Sequence, residues 1–537
     1  MNFLRLPDYL LTVLFEDDDI IAIDKPYGFN AHTNDSKIEH SEFIQDGLIE
    51  IFEKQLNKKL HIVHRLDQTT TGVMIFGKSV EAAKKYAEYF FNRQVKKTYW
   101  FITKNEFTKE NFLIDQPIIH KAKELDAKTQ LTLLNKTKDL SLWKANPFTG
   151  RNHQIRIHAK AANISILGDP KYGGAAFPFL CLHNYEIEFP NGIIINSRPP
   201  LYFENLNLLD DQVIAKIVFE TDRRLRLFSE SLNSNQSFRL VHNKNNSNEP
   251  GFTIDQFGQN IIVGWYKENW SESEVRKFSY YATILSKPVI VRLMFDKGKS
   301  VLDKNQFIFF PENSLEKPND SKMPTHWVAS ESKTNYEIRT DSGQSVGLFL
   351  NQRLQRNWVL NNSKNKTVLN LFAHTGGFSL AAALGQASQI TSIESNKNNL
   401  NWAKRNFELN NLDGNNYKFL FRDSITFLEQ SRSKSSKYDL IICDTPSFFR
   451  REKGIFKIET GLEKFLENCL TCLSKNGELL FSTNFDGFFI DDVRKTVLKA
   501  QASLKITKLE VNCVLPSLDF ELPDDKTNLK SFLIRLG

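Results

Sequence analysis

Asn370-Leu371-Phe372-Ala373-His374-Thr375-Gly376-Gly377-Phe378 decides the fold of the C-terminal part of this 537-residue chain. The apolar run Val368–Phe372 reads as a strand and Ser379–Leu384 as a helix, joined by a turn that carries two glycines. Strand-like Ile390–Glu394, a helix over Lys397–Leu409 and a buried-looking strand over Tyr438–Cys443 follow. Strands alternating with helices in this way specify βαβ units and a doubly wound parallel sheet over 336–537.

Such a sheet binds ligands at the carboxyl ends of its strands, so the residues there are the candidates. Phe372, Thr375, Gly376 and Gly377 form the first turn, where glycine lets the backbone come close to a ligand. Glu394 ends the second strand, in a place to take both hydroxyls of a ribose. Asp423 follows the third strand-like segment, where an adenine contact falls. The fourth strand ends in Asp444-Thr445-Pro446-Ser447-Phe448. Glycine turn and acidic residue alone also suit a nicotinamide dinucleotide. The last motif distinguishes the two, because it resembles the [DN]PP[FY] signature of methyltransferases that act on nitrogen.

More broadly, 226–537 resembles ribosomal RNA methyltransferases of the RlmI and RlmK type. Phe238–His242, Pro250–Asp255, Gly347–Arg353 and Asn370–Phe378 carry the likeness. The resemblance implies a Rossmann-like class I methyltransferase domain, with S-adenosylmethionine held by Phe372–Gly377, Glu394 and Asp423. It also implies catalytic roles for Asp444, Pro446 and Phe448. Methylation of carbon 5 of cytosine requires a cysteine thiolate. The RlmI type carries one after its fifth strand, but the matching Phe481-Ser482-Thr483-Asn484-Phe485 has none, and Cys443 precedes Asp444 on a buried strand. A base nitrogen needs only placement of its lone pair, and the RlmK-like resemblance favours N7 of guanine. Two departures stand out: Thr445 replaces the first proline of the signature, and Asn351 replaces the aspartate usual in Gly-Leu-Phe-Leu-Asp.

Upstream, 217–335 has strand-like alternation at Phe238–His242 and Ile261–Tyr266, with polar loops at Asn243–Glu249 and Glu316–Met323. It reads as a small α+β module, and the resemblance implies that it positions RNA. The pattern weakens over 203–216, which suits a connection.

The N-terminal block, 1–207, mixes strand-like segments (Asp19–Asp24, Val73–Gly77, Thr98–Thr103) with a helix-like Ala82–Phe91. His64-Arg65-Leu66-Asp67-Gln68-Thr69-Thr70-Thr71-Gly72 sets a carboxylate in a threonine-rich loop. Taken alone, Asp67 is a turn residue. Gly150-Arg151-Asn152-His153-Gln154-Ile155-Arg156-Ile157-His158 reads as a helix capped by Asn152, with Ile155, Ala159 and Ala162 on its apolar face and Arg156 and Lys160 beside it. Ile166–Gly173 closes that helix with a turn-rich segment.

Together with Lys97-Thr98-Tyr99 and Asp24-Lys25-Pro26-Tyr27-Gly28, these motifs resemble the RluA family of pseudouridine synthases, in the family's order over about 1–207. The resemblance implies a mixed α+β synthase fold and isomerisation of uridine without a cofactor. It gives Asp67 the role of the carboxylate that assists cleavage of the glycosidic bond. Arg156 matches the partner that keeps it ionised. Tyr99 matches the tyrosine on which the base stacks and which helps to remove the carbon-5 proton. Arg65 matches the residue that fills the space left by a flipped nucleotide. Arg151, His153 and Lys160 are the further RNA-binding candidates. Thr71 and Asn152 depart mildly from the common Ser and Thr.

Composition agrees with a multidomain α/β and α+β protein. A content of 41% hydrophobic and 25% charged residues is that of a soluble globular chain, too long for one core. No apolar run nears the ~20 residues that cross a bilayer, and Leu10–Phe15 lacks a signal peptide's basic flank, so no membrane partner and a cytoplasmic location are expected. The net charge of +7 is too small to argue nucleic-acid binding by itself, although Lys84, Lys85, Arg93, Lys96 and Lys97 cluster. Five scattered cysteines exclude a disulfide framework, and the Cys469–Cys472 pair lies in a segment of helical periodicity with no second ligand pair, so no metal is expected. The leading expectation is a bifunctional RNA modifier acting on ribosomal RNA, with transfer RNA the lesser choice and no DNA. The alternatives are a pseudouridine synthase whose second half only binds RNA, and a non-catalytic RNA assembly factor.

Overall fold

The computed structural model describes residues 2–4, 6, 11–33, 47–104, 109–120, 123–227, 235–243, 251–266, 271–294, 306–311, 325–343, 345–450, 454–517, 519–520 and 529–537. The polar loops 244–249 and 316–323 lie outside them. By contacts the chain divides into two compact units, Tyr9–Leu232 and a second made of Met1–Asp8 with Asn233–Gly537.

The Tyr9–Leu232 unit is built on a 10-stranded sheet. Its middle strand Thr71–Gly77 is buried along its whole length, as its apolar run Val73-Met74-Ile75-Phe76 requires. It pairs antiparallel with Ile20–Lys25 and parallel with Leu182–Glu188, and beyond the latter the sheet continues through Lys96–Lys104 and Leu140–Pro147. The helix Val80–Phe91 is capped by Ser79, whose side chain accepts from the Ala82 amide, and it buries Ala82, Ala83 and Tyr86. The segment 203–216 is not the plain connection expected. Leu201–Glu204 and Gln212–Leu225 are helices, the second capped by Asp211 and burying Ile214, Ile217 and Val218. Phe219 of that helix stacks on Phe179, with ring centres 4.0 Å apart.

In the other unit an eight-stranded sheet runs, from one edge, Tyr417–Phe421, Gln389–Glu394, Thr367–Leu371, Tyr438–Thr445, Leu473–Thr483, Lys530–Leu536, Leu509–Val514 and Asn2–Leu4. All ladders are parallel except those made by Lys530–Leu536. Strand order reverses between Thr367–Leu371 and Tyr438–Thr445, which opens a crevice at their carboxyl ends. The 5-stranded sheet Ser237–Asn243, Phe252–Phe257, Asn260–Trp265, Val289–Leu293 and Gln306–Phe309, with the helix Glu272–Leu285, forms the small α+β module.

Candidate active sites

In the Tyr9–Leu232 unit, a cavity of about 1290 Å³ collects the residues read from the motifs. Asp67, Tyr99, Arg156, Arg65, Arg151 and His153 all line it; Lys160 does not and is exposed. Asp67 sits in the turn before Thr71–Gly77, with the Thr70 amide donating to its carbonyl at 3.0 Å. Its carboxylate accepts from Arg156 Nη1 at 3.2 Å. The remaining face of the guanidinium is spent on Asp169, to which Nε and Nη2 donate at 2.7 and 2.8 Å. Asp169 is fully buried and also caps the short helical turn Pro170–Tyr172. Arg156 is therefore fixed by one carboxylate and presented to another, a bidentate geometry that lysine cannot supply.

Several surrounding groups hold this arrangement. The helix starts at Gln154, not after an Asn152 cap, because His153 takes a left-handed conformation with φ 56°. That turn brings His153 Nε2 to 3.6 Å from Asp67 while Nδ1 shares a 2.7 Å hydrogen bond with the Tyr172 hydroxyl. Burial lowers the pKa of His153, against the pull of the Asp67 charge. Gln154 fixes the turn by accepting from Thr149 Oγ1 and the Arg151 amide and donating to Lys128 O and Thr129 Oγ1. Lys25, fully buried, donates to the carbonyls of Pro26, Gln68 and Thr70, so it clamps the loop on which Asp67 stands. Burial pulls its pKa down to about 7, and the Asp67 charge opposes that fall. Burial also pushes the Tyr99 phenol well above its ordinary value, with the Asp67 charge acting in the same direction. The phenol is thus neutral at physiological pH.

Motif reading found the carboxylate, its arginine and the tyrosine. It gave no role to Asp169 or Lys25, although both stand inside quoted motifs, because their partners are reached only through folding.

The second site lies at the carboxyl ends of the parallel strands. Glu394 is nearly buried, and its oxygens accept from the His374 amide at 2.7 Å and the Asn396 amide at 2.8 Å. Burial raises its pKa, and those amide bonds oppose the rise. Phe372, His374 and Gly376 all have positive φ, so the turn folds back on itself. Gly376 is required there for a reason other than the expected ligand approach: a Cβ would stand 2.8 Å from the Ala403 Cβ of the neighbouring helix. At Gly377 a Cβ would meet Arg356 Cδ at 3.4 Å. Thr375 turns inward; its hydroxyl donates to Gly347 O and its carbonyl accepts from Asn406. Asp423 caps the helix Ser424–Ser433 through the Thr426 amide at 2.7 Å.

Asp444 closes its strand with a carboxyl pushed up to about 6 by burial, against the opposing Arg356 charge. Thr445 Oγ1 is buried without a hydrogen-bond partner among the described residues. Pro446 leads to Phe448, whose ring is 71% exposed. Asn351, one of the two departures, is joined to Asn484 of the cysteine-free stretch 481–485: Asn351 Nδ2 donates to Asn484 Oδ1 at 3.3 Å. Cys443, Cys469 and Cys472 are buried, and the sulfurs of the first two lie 3.9 Å apart. Among the described residues no acidic, histidine or cysteine cluster could hold a metal, and no helix is long and apolar enough to cross a membrane.

A nucleoside cofactor fits these residues. A buried carboxylate oriented by two backbone amides stands at the second strand tip, where a ribose diol is taken, and each of its oxygens keeps a further lone pair.

Comparison with known proteins agrees. Residues 19–161 match the family model for RNA pseudouridylate synthase, and 294–535 match that for S-adenosylmethionine-dependent methyltransferase. A ribosomal RNA large subunit methyltransferase K/L of Pseudoalteromonas translucida is 38% identical over 175 residues, 32% of this chain and 24% of that protein. Its counterpart from Pseudoalteromonas atlantica is 27% identical over 335 residues, 58% of this chain and 46% of that protein. The chain thus spans about a quarter to a half of the length of these curated relatives. Among solved structures, SMU.776, a methyltransferase complexed with SAH, superposes with a TM-score of 0.50 at 24% identity, covering 66% of this chain and 88% of that one, a likeness of fold.

Proposed function

We propose that this chain, which joins an RNA pseudouridylate synthase domain to an S-adenosylmethionine-dependent methyltransferase domain, makes two modifications in RNA, ribosomal RNA before transfer RNA. The observation that carries the reading is the Asp169–Arg156–Asp67 relay, in which a buried carboxylate fixes the guanidinium that faces the catalytic one.

In the synthase domain, Asp67 assists breakage of the C1′–N1 bond by attack or by charge stabilisation, and Arg156 orients it through the Nη1 hydrogen bond. The freed uracil turns and its carbon 5 bonds to C1′, displacing the Asp67 carboxylate where an ester has formed. Carbon 5 then gives up its proton and N1 takes one up, so that the product is an isomer of the starting uridine. Tyr99 enters as a neutral phenol, a ring face and a hydrogen-bond donor, since burial, and with it the Asp67 charge, disfavours the phenolate. The base reaches this basin only when flipped from its stack, and Arg65 on the rim is placed to fill the gap.

In the methyltransferase domain, S-adenosylmethionine, when bound, supplies an electrophilic methyl group. Glu394 would hold the ribose, and Asp423 and the Phe372–Gly377 turn the rest of the nucleoside. Asp444 accepts a hydrogen bond from the base, and Phe448 offers it a ring face. The acceptor is a base nitrogen, because the stretch 481–485 offers no thiol and Cys443 is buried beside Cys469; the RlmK-like resemblance favours N7 of guanine among the base nitrogens.

The test is to map pseudouridine and methylated bases in total RNA from cells with and without this protein. Loss of one pseudouridine and one N7-methylguanosine supports the proposal. An unchanged pseudouridine map, or loss of 5-methylcytosine instead, contradicts it.

A further inference from the structure

We infer that the rim of the synthase cavity carries a second nucleotide subsite, built from Phe91, Arg93 and Arg151, that takes an unpaired nucleotide next to the target uridine. The inference rests on the proposed RNA reading of that cavity.

Phe91 is 86% exposed and lines the cavity. A single exposed aromatic is ordinary on a protein surface. Its place at the end of the helix is anchored through the preceding residue, Phe90. Phe90 stacks on His64, with ring centres 4.8 Å apart and planes at 21°. His64 in turn accepts from the Ile75 amide at 3.2 Å, which ties the end of the helix Val80–Phe91 to the strand that follows Asp67. Phe91, the next residue and about 100° further round the helix, stands exposed beside this anchored end.

Arg93 follows at φ 58°, a left-handed position that an arginine adopts at a cost of about 1–2 kcal/mol. Its guanidinium reaches Asp126, Nη2 to Oδ2 at 2.9 Å. Arg151 Nε donates to the backbone carbonyl of the same Asp126 at 2.9 Å. One residue therefore holds the guanidinium groups of two arginines that line the same cavity as Phe91, and each keeps N–H donors for a phosphate.

The cavity, about 1290 Å³, exceeds the ~300–1,000 Å³ typical of a site for one small ligand. Extruding a uridine also unstacks its neighbour. A phenyl face with two flanking cations suits an unstacked base and its phosphate, because every base has a π-face and stacking tolerates any sequence. The occupant is thus a single-stranded nucleotide of undefined base identity.

The test uses the full chain carrying Asp67→Asn, so that bound RNA is not turned over. Binding is followed by anisotropy with a fluorescein-labelled single-stranded oligouridylate and with an abasic ribose-phosphate oligomer of equal length. Phe91→Ala should weaken oligouridylate binding on the order of ten-fold and leave the abasic oligomer unchanged, and Phe91→Trp should restore it. Arg93→Gln should weaken both and lower the salt slope by about 0.7. Unchanged oligouridylate binding by Phe91→Ala, or equal weakening of both oligomers, overturns the subsite. Failure of the chain with native Phe91 to bind either oligomer would instead sink the RNA reading of the cavity.

Discussion

Gly376 has φ 78°, and a Cβ there would stand 2.8 Å from Ala403 Cβ. Both constraints act at once, the left-handed conformation costing about 1–2 kcal/mol for a side chain and the contact adding to it. Gly376→Ala should therefore destabilise the chain by roughly 2–3 kcal/mol and weaken S-adenosylmethionine binding, read by thermal denaturation and by calorimetric titration. Asp444 yields a prediction in pH. Its carboxyl titrates near 6, above the ordinary aspartate value near 4. Folding favours its proton, so its contribution to stability is full below the unfolded value and lost as pH rises through about 6. Activity runs the other way under the proposed role of Asp444, which accepts a hydrogen bond from the base. Methyl transfer should fall as pH drops below about 6, and a flat profile between pH 5 and 8 would refute the role of Asp444.

At the scale of elements, the helix Gln212–Leu225 belongs to the synthase core although nothing in its local pattern says so. Arg226, just past its end, pairs with the buried Asp24 and, at 2.8 Å, with Asp222, and donates to Arg198 O. Asp24 stands beside Lys25, which clamps the Asp67 loop. Removing one partner of a buried pair leaves an uncompensated charge, at roughly 3–5 kcal/mol. Arg226→Ala should cost about that much in urea unfolding followed by tryptophan fluorescence, and Asp24→Asn in the same chain should recover part of it. This link spans 202 residues, so periodicity could not disclose it. Local runs were legible by contrast: the buried strand Thr71–Gly77, the helix Lys397–Leu409 and the strand Tyr438–Thr445 all follow from apolar spacing. The start of Gln154–Ala161 was misread because Asn152 is a good cap by type, whereas the structure puts His153 there to aim its ring at Asp67. Motifs gave the site its carboxylate and arginine; the partner Asp169 emerged only when a turn thirteen residues on folded back.

For the whole molecule, two compact units carry two separate constellations, one centred on Asp67 and one on Asp444. The division by contacts puts the N-terminal strand Asn2–Leu4 in the methyltransferase sheet, paired with Asn512–Val514. A truncation that starts after Leu4 should therefore weaken methyl transfer more than pseudouridine formation, measured on the same RNA. The proposed catalytic carboxylates Asp67 and Asp444 belong to different units, so each activity should survive loss of the other's carboxylate. The most direct measurement is nucleoside analysis of unmodified ribosomal RNA incubated with S-adenosylmethionine and the native chain, Asp67→Asn or Asp444→Ala. The first variant should make N7-methylguanosine and no pseudouridine, and the second pseudouridine and no methylated base. Pseudouridine formed at the native rate by Asp67→Asn would contradict the assignment of the first site, whatever the second one does.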